Sequence, residues 1–298
     1  MVKLRDLHYL VAIAEHKHFG RAAQACFVSQ PTLSGQIMKL EGQLSLTLIE
    51  RQSKKVMLTP AGEKLVVEAH KVLSAAKNFE NLAKSLLDPF AGDLHVGSIP
   101  TLASYILPYV QAPLKEDFPN ITFYLHESKT KDLLIELEEG KLDILILPWL
   151  DEMDKFSRFD LFAEPLVMAT YPNHTLANKK HVKLSDLENQ NILSLEDGHC
   201  LRDQSLGYCF SAGANEDLRF KAASLEILRY MVASEMGITL FPQLATLNVV
   251  LNNSVTYIPF EHPRPMRQIS LVTRKGYSRM ECVKAVVNTI KASIKGVF

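Results

Sequence analysis

Two cysteines in the second half of the chain are the side chains best suited to covalent chemistry. Cys200 and Cys209 bracket the polar stretch LRDQSLGY, and His199 directly precedes the first of them. Thiols this close in sequence are compatible with a zinc site, a redox switch, or two groups with no joint chemistry. Zinc is disfavoured, because a tetrahedral site needs further ligands and no paired C-x-x-C or H-x-x-x-H motif supplies them. A redox switch and two unrelated thiols both remain open on spacing alone.

The other two cysteines are expected to be structural. Cys26 falls in the core of a predicted helix-turn-helix, and Cys282 falls in a predicted C-terminal amphipathic helix. Buried thiols in such places behave as small hydrophobic groups. We assign them no reactive role, and we predict no metal and no cofactor.

The elements that position these residues belong to a globular protein of two or three compact units. The chain has 298 residues, of which 47% are hydrophobic and 22% charged. No run of eighteen apolar residues is present, which argues against a membrane protein. The N-terminal stretch MVKLRDLHYLVAIAEHKHF mixes charges into its apolar positions, so we expect no signal peptide and a cytoplasmic location.

Charge is distributed unevenly along the chain, although the net charge is zero. Residues 1–62 contain eight Lys or Arg against four Asp or Glu, a net of +4, and the remainder therefore carries −4. This asymmetry favours an N-terminal module that binds an anionic partner. A chance excess on a solvated face would produce the same count.

The N-terminal segment has the pattern of a helix-turn-helix. In FVSQPTLSGQIMKLEGQL, Ser29 is a plausible N-cap, and a stripe of Leu33, Ile37, Leu40 and Leu44 predicts an amphipathic helix with one buried face. The opposite face carries Gly35, and a glycine in mid-helix costs about 1 kcal/mol relative to alanine. Its presence there hints at close approach by another surface, and duplex DNA would fit.

A basic hairpin and a long helix follow. The segment RQSKKVMLTPAG predicts a wing, and Thr59 and Pro60 then cap and start the next helix. That helix has an apolar seam with alternating spacings of four and three residues, made of Leu65, Ala69, Val72, Ala76, Phe79, Ala83 and Leu86. Such spacing is typical of a coiled coil, so we expect a dimerisation helix, the alternative being a helix packed on its own domain.

From Asp93 onward, short apolar strands alternate with helices. The strands include LHVGSI, ITFYLHE, LDILIL, NILSLE, ITLFP and ISLVT, with helices through LASYILPYV, DLLIELEEG and SLEILRYMVASEMG. This alternation indicates βαβ units around a mainly parallel sheet.

The stretch FGRAAQACFVSQPTLSGQIMKLEGQLSLTLIER closely resembles the helix-turn-helix of LysR-type transcriptional regulators. The resemblance implies a dimeric or tetrameric bacterial regulator whose second domain has two α/β lobes about a cleft, as in periplasmic binding proteins. It also implies contacts to double-stranded DNA from Gln30, Pro31, Thr32, Ser34, Lys39, Arg51 and Lys54. The chain departs from the family at Ser45, where glycine is usual, and at Gly35 and Met38, where arginine is frequent.

The stretch LEDGHCLRDQSLGYCF resembles the redox loop of LysR-type members that sense hydrogen peroxide, and the similarity extends to RDLHYLVAIAEHKHF, SIPTLASYILP, YLHESKT and GITLFP. The resemblance implies that Cys200 reacts with peroxide and that Cys209 resolves the product into a disulfide. It further implies that peroxide binding or thiol tuning falls to Thr101, Thr130, His199, Asp203 and Arg267.

The implied chemistry is physically sensible. A cysteine with a pKa of about 8.5 is only roughly 3% thiolate at pH 7, and His199, Arg202 or a helix N-terminus could raise that fraction. Full ionisation gains only about 30-fold in rate. Donors such as the Thr101 hydroxyl are therefore expected to orient peroxide and stabilise the departing hydroxide.

The sequence thus predicts an α/β protein with an N-terminal all-α winged helix-turn-helix. We divide it into a DNA-binding domain (1–59), a dimerisation helix (60–90) and a two-lobed redox-sensing domain (91–298). The predicted function is a peroxide-responsive activator of oxidative-stress genes, a homodimer or homotetramer acting with RNA polymerase and reset by a cellular thiol reductant.

Three alternatives are weighed against this prediction. In the first, a LysR-type regulator binds a small organic effector in its interlobe cleft and both cysteines are incidental. The second, a thiol peroxidase, would need multiple turnover with a reductant and leaves the DNA-binding module unexplained, so we predict no enzyme. The third, an exported solute-binding protein, conflicts with the expected absence of an export signal.

Overall fold

The computed structural model describes residues 1–50, 56–85, 87–247 and 254–298. Its described part divides into two compact units, residues 1–87 with 138–141, and residues 88–137 with 142–298. None of the described helices is both long enough and apolar enough to cross a bilayer.

The first unit contains α1 (Leu4–His16), α2 (Phe19–Ala25), α3 (Gln30–Leu44), the paired strands β1 (Ile49–Glu50) and β2 (Met57–Leu58), and α4 (Pro60–Ser85). Its core is formed by side chains from all three short helices and the start of β1, including Leu10, Ile13, Leu33, Ile37 and Leu48. The predicted buried stripe of α3 is confirmed, since Leu33, Ile37 and Leu40 are buried.

The boundaries of α3 follow from its local sequence. The Ser29 hydroxyl accepts a hydrogen bond from the Thr32 N–H at 3.3 Å and so caps the first turn, as predicted. Ser45 ends the helix in the left-handed region at φ 54°, a conformation that favours glycine. This explains why glycine is the usual residue there in the family that the sequence resembles.

The wing prediction is confirmed in outline. Strands β1 and β2 pair in antiparallel fashion, with Ile49 opposite Leu58 and Glu50 opposite Met57. The basic tip of the predicted wing, with Arg51, Lys54 and Lys55, lies outside the described residues. As predicted, Thr59 caps the following helix, because its hydroxyl accepts a hydrogen bond from the Gly62 N–H at 3.0 Å.

The second unit contains β3 (Gly92–Ser98), α5 (Pro100–Asp117), β4 (Ile121–Glu127), α6 (Thr130–Glu138), β5 (Ile144–Pro148), β6 (Phe156–Thr170), β7 (Asn191–Leu195), α7 (Cys200–Ser211), β8 (Asn215–Ala222), α8 (Leu225–Ala233), β9 (Thr239–Pro242), β10 (Thr256–Pro259), β11 (Met266–Arg274) and α9 (Met280–Ile294). Short 3-10 helices span Asp151–Met153, Leu184–Leu187 and Gln243–Thr246.

Two separate hydrophobic clusters divide this unit into two lobes, as predicted. The first lobe is built around β3, β4, β5 and β11, and the second around β7, β9 and β10. Strand β6 contributes to both clusters: Phe156 and Leu161 pack in the first, and Leu166 and Met168 pack in the second. The 15-residue β6 is thus a continuous connection between the two cores.

The expectation of a mainly parallel sheet is wrong. Strand β3 is parallel to β4 and β5, and β7 is parallel to β8. The pairings of β11 with β5 and β6, and of β6 with β9 and β10, are antiparallel. Strand β11 comes from the C-terminal part of the chain and lies between β5 and β6, running opposite to both, so it interrupts the parallel order that β3, β4 and β5 begin.

The polar stretch between Cys200 and Cys209 was expected to be a loop, and the structure corrects this. Residues Cys200–Ser211 form α7, whose buried positions include Cys200, Leu206 and Cys209. Gly207 and several polar residues weaken its amphipathic pattern, so the periodicity of the sequence did not indicate a helix. Cys282 is fully buried, as expected, whereas Cys26 follows α2 and is only partly buried.

Candidate functional site

Cys200 is the first residue of α7, and its thiol is buried against the core of the first lobe. The helix itself packs in the second lobe, where Leu206 and Cys209 belong to the other cluster. Cys200 is therefore placed where the two lobes of this unit meet. The two cysteines of the pair lie in different hydrophobic cores.

A narrow cavity adjoins the thiol. It is lined by Ile99, Pro100, Thr101, Lys129, Thr130, Gly198, His199 and Cys200. Three of the predicted sensing residues, Thr101, Thr130 and His199, are thus brought together beside Cys200. The cavity leaves no room for an ordered water molecule, so a small ligand enters only if the surrounding side chains give way.

Thr130 has an unusual environment. Its hydroxyl oxygen is buried and has no hydrogen-bond partner that meets ordinary geometry within the described part of the chain. It nevertheless lies close enough to the Cys200 sulfur to lower the pKa of that thiol. A buried polar group without a partner costs free energy, and such groups gather where a ligand completes the hydrogen bonding.

Arg267 lies behind the cavity and fixes one of its walls. Its guanidinium donates to the Thr101 hydroxyl at 3.2 Å and to the Thr101 carbonyl at 2.9 Å. Its Nε donates to Glu164 at 2.7 Å, and Glu164 also accepts from the Leu244 N–H at 3.0 Å. Both charged side chains are fully buried, so their ion pair offsets part of the cost of removing each charge from water.

Glu164 was not predicted as a site residue. It is the single acid in the apolar segment AEPLVM of β6. A lone acid in a strand that is otherwise apolar was the feature of the sequence that could have indicated a buried functional residue. Lys129 was missed as well. Its Nζ donates to the Asp197 carbonyl at 3.0 Å and so ties the loop before Cys200 to the start of α6.

Burial dominates the electrostatics of the reactive thiol. It raises the pKa of Cys200, while the Thr130 hydroxyl, the Arg267 charge and the Leu201 N–H at the helix N-terminus act in the opposite direction. Burial also raises the pKa of the Cys209 thiol to about 12. Both thiols are therefore predominantly protonated in the resting protein at neutral pH.

The helix N-terminus lowers the pKa of Cys200, as expected, through the Leu201 N–H. The two side chains that were expected to act as cations on this thiol, His199 and Arg202, do not do so. Burial and Lys129 lower the pKa of His199, so its imidazole is neutral near pH 7. Arg202 is turned toward Glu216, to which it donates two hydrogen bonds of 2.7 and 2.9 Å. Arg267 is the cation that acts on the thiol.

Asp203 lies away from the cavity. Its side chain is 74% exposed and pairs with Arg202 at 3.2 Å. Its remaining effect on the thiol is a weak electrostatic one that raises the pKa of Cys200.

The position of Cys209 has a direct geometric consequence. It lies nine positions after Cys200 in the same helix, and a rise of about 1.5 Å per residue places their Cα atoms about 13 Å apart along the axis. A disulfide requires Cα atoms roughly 4.4–6.8 Å apart. The two thiols can therefore bond only if α7 unwinds at one end.

The predicted DNA-contacting residues of α3 share its exposed side. Gln30, Pro31, Thr32 and Lys39 are exposed and Ser34 is partly so. A Cβ atom at Gly35 would meet no atom of the described residues within 4 Å, so this part of the structure does not require glycine there. The surface is therefore free to enter a groove of DNA, while Arg51 and Lys54 lie outside the described residues.

The apolar seam of α4 changes character along the helix. Ala69 is buried, whereas Val72 is 46% and Phe79 75% exposed. Leu86 lies outside the described residues. Exposed apolar side chains in a regular seam are expected when a second copy of the helix covers them.

Comparisons with known proteins agree with this arrangement. Residues 4–63 match the model of the bacterial regulatory helix-turn-helix proteins of the lysR family, and residues 88–295 match the LysR substrate binding domain. The DNA-binding transcriptional dual regulator OxyR of Escherichia coli is 46% identical over 297 residues, covering 100% of this chain and 97% of that protein.

Solved structures give the same result. A full-length OxyR variant from Pseudomonas aeruginosa superposes with a TM-score of 0.79 at 31% identity, covering 98% of this chain and 95% of that one. Crystal structures of the oxidized and reduced forms of OxyR each superpose with a TM-score of 0.66, at 44% and 41% identity, over 71% of this chain and 100% of theirs.

Proposed function

This chain belongs to the LysR family of bacterial transcriptional regulators, and we propose that hydrogen peroxide switches it through a reversible Cys200–Cys209 disulfide. It is a DNA-binding, redox-switched regulator, as its OxyR relatives are. The observation that supports the residue assignment is the cavity beside the Cys200 thiol, which Thr101, Thr130 and His199 line.

The first step forms a sulfenic acid. The Cys200 thiolate attacks one peroxide oxygen, the O–O bond breaks, and the second oxygen leaves as hydroxide and is protonated to water. Cysteine supplies two electrons and peroxide accepts them. The hydroxyls of Thr101 and Thr130 orient the peroxide, and a donor aimed at the leaving oxygen stabilises its developing charge.

The second step closes the disulfide. The Cys209 thiolate attacks the Cys200 sulfur, the S–O bond breaks and the oxygen leaves as water after protonation. Two thiols and one peroxide thus give one disulfide and two waters. Return to the dithiol requires a thiol reductant of the cell, which exchanges with the disulfide.

The fraction of Cys200 present as thiolate would not by itself make its reaction with peroxide fast. The pKa of Cys200 is raised, so less thiolate is present at pH 7 than the roughly 3% of an ordinary cysteine. Transition-state stabilisation by the cavity must therefore carry the rate. We assign this stabilisation in part to the buried Thr130 hydroxyl.

DNA is bound by the N-terminal domain (1–59), with α3 in the major groove. Base or phosphate contacts come from Gln30, Pro31, Thr32, Ser34 and Lys39, and phosphate contacts come from Arg51 and Lys54, which the sequence predicts to lie in the wing. The segment 60–90, which contains α4, pairs two chains, and residues 91–298 sense peroxide. We place the protein in the bacterial cytoplasm as a homodimer or homotetramer that activates transcription with RNA polymerase and turns over no substrate.

The test is mass spectrometry of the reduced, full-length protein after one equivalent of hydrogen peroxide. We expect a rapid Cys200–Cys209 disulfide that is absent from the Cys200→Ser variant and retained in Cys282→Ser, where a buried thiol of the first lobe is changed instead. If both thiols stay reduced while excess peroxide only oxidises methionines, the redox assignment fails. The protein would then be a family member that responds to an organic effector in its cleft.

A further inference from the structure

The last turn of α7 is fastened to β11 by one hydroxyl group. The Tyr208 hydroxyl donates to the Met266 carbonyl at 3.0 Å and accepts from the Met266 N–H at 3.3 Å. Met266 is the first residue of β11, so this single side chain satisfies both backbone groups at the start of that strand. Tyr208 directly precedes Cys209.

The same strand carries the cation of the reactive site. Arg267 follows Met266, holds Thr101 and lowers the pKa of Cys200. Tyr208 therefore links the residue next to Cys209 with the strand that positions Arg267. Tyr208 and Arg267 thus connect the surroundings of Cys209 and Cys200 through β11, in addition to the connection through α7.

One end of α7 must leave its position before the disulfide can form, and the two ends are held with different strength. The first turn is fixed by Arg202, which forms charge-assisted hydrogen bonds of 2.7 and 2.9 Å with the nearly buried Glu216. The last turn is fastened to β11 by the neutral, partly exposed hydrogen bonds of Tyr208. Charge-assisted bonds are about twice as strong as neutral ones, so the polar contacts of the Cys209 end are the weaker of the two, although Cys209 itself is buried in the core of the second lobe. We therefore take the Cys209 end to be the one that moves.

We propose that the Tyr208 hydroxyl is a positioning group that sets the rate of disulfide closure by holding the Cys209 end of α7 against β11. This inference rests on the proposed function. The hydroxyl does not touch the Cys200 cavity, so it leaves sulfenic acid formation unchanged. It slows only the second step and favours the dithiol form at equilibrium.

The expected effect is modest and measurable. A hydrogen bond of ordinary net strength changes a rate or an equilibrium by about two- to tenfold. The Tyr208→Phe variant keeps the ring and loses only the hydroxyl, so it should fold as the parent does. We expect its disulfide to close two- to tenfold faster after Cys200 has been oxidised, and its dithiol–disulfide equilibrium in a glutathione buffer to shift toward disulfide by about the same factor.

The experiment separates the two chemical steps in the full-length protein. Sulfenic acid formation is followed by rapid trapping with dimedone in a Cys209→Ser background, with and without Tyr208→Phe. Closure is followed in the two-cysteine proteins by acid quench and mass spectrometry. The matched control is Ser211→Ala, because the Ser211 hydroxyl donates to the Gly207 carbonyl within α7 and makes no link to β11.

The outcomes are distinct. Faster closure in Tyr208→Phe with an unchanged first step and an unaffected Ser211→Ala supports the inference. Equal closure rates in the parent and Tyr208→Phe overturn the inference and leave the proposed function intact. An equal change in the rates of both steps also overturns it, because it indicates a general loosening of the fold around α7. If the parent itself forms no Cys200–Cys209 bond, the proposed function fails first. Amide exchange at Met266 is a second measurement, and it should accelerate when the parent is oxidised.

Discussion

Thr130 can be tested apart from the rest of the site, because its hydroxyl acts on the Cys200 thiol and makes no other hydrogen bond within the described part of the chain. We predict that Thr130→Val slows oxidation of Cys200 by roughly 100-fold, as expected for loss of one donor to a departing oxyanion. Valine has the same shape, and removing an unpartnered buried hydroxyl should leave the free energy of unfolding unchanged or slightly higher. Stopped-flow peroxide kinetics and thermal denaturation check the two halves of this prediction.

The matched control is Thr273→Val. The Thr273 hydroxyl is also buried, but it donates to the Asp143 carbonyl at 3.0 Å. We expect this variant to lose about 1 kcal/mol of stability and to keep its peroxide rate. An unchanged rate in Thr130→Val would show that Thr130 has no part in handling peroxide.

The raised pKa of Cys200 gives the reaction a definite pH dependence. Burial, the largest cause, favours the neutral thiol of the folded protein. The thiolate fraction, and with it the rate of oxidation, should therefore rise about tenfold per pH unit between pH 6 and 8. The same preference stabilises the reduced fold below the ordinary thiol pKa of about 8.5, and this contribution is lost as the pH rises through the raised value.

The measurement is the oxidation rate of the reduced protein across that pH range at constant ionic strength. The Cys209→Ser variant should give the same profile, because it retains Cys200. A flat profile would mean that Cys200 is already ionised at pH 6, in conflict with the electrostatics of the cavity.

At the scale of elements, regular apolar patterns in the sequence predicted individual helices and strands, but they did not predict how those elements pack together. The stripe of Leu33, Ile37 and Leu40 predicted the buried face of α3, and the strand ITFYLHE coincides with β4. Helix α7 was missed because its few buried residues are divided between two cores, which leaves little amphipathic signal in the sequence.

The sequence predicted those site residues that lie in short motifs shared with the family. The resemblance named Thr101, Thr130 and His199, and the structure brings all three to Cys200. The roles of Arg202 and Arg267 depend on which acid each meets, Glu216 or Glu164, and those partners are distant in sequence. Spacing along the chain carries no information about such pairings.

The exposed seam of α4 leads to a prediction about assembly. Phe79→Asp should weaken chain association by more than about 100-fold, because it would place an unpaired carboxylate in an apolar interface. The fold of the subunit should survive, since Phe79 is 75% exposed. Sedimentation equilibrium and circular dichroism measure the two effects. Lys77→Glu, an equally drastic charge change outside the seam, serves as the control and should leave association intact.

At the scale of the whole molecule, the disulfide alone supplies too little free energy for a complete switch. Closing a loop of this size is worth roughly 3 kcal/mol by chain-entropy estimates, whereas moving a population from 1:99 to 99:1 needs about 5.5 kcal/mol. The proposed disulfide would also require part of α7 to unwind, which adds a cost. A complete switch would therefore need rearrangement elsewhere to favour the oxidised state, and we propose a changed interface between subunits as the source.

The second lobe presents a surface suited to such a change. Leu218 and Phe220 on β8 and Tyr230 on α8 are 72%, 53% and 58% exposed. These elements neighbour the segment that must refold, because β8 follows α7 directly. Apolar surface of this kind gains stability when a partner covers it, at roughly 25 cal/mol for each Å² removed from water.

We therefore predict that reduced and oxidised full-length protein bury different surfaces between subunits. Hydroxyl-radical footprinting of Leu218, Phe220 and Tyr230 should change on addition of one equivalent of peroxide, and the same treatment should leave the Cys209→Ser variant unchanged because it cannot close the disulfide. We expect a changed interface to alter the spacing between paired DNA-binding domains, and so the operator spacing that they fit. If both forms protect the same residues and sediment alike, the disulfide acts without a change in assembly, and the free energy of the switch must come from within one subunit.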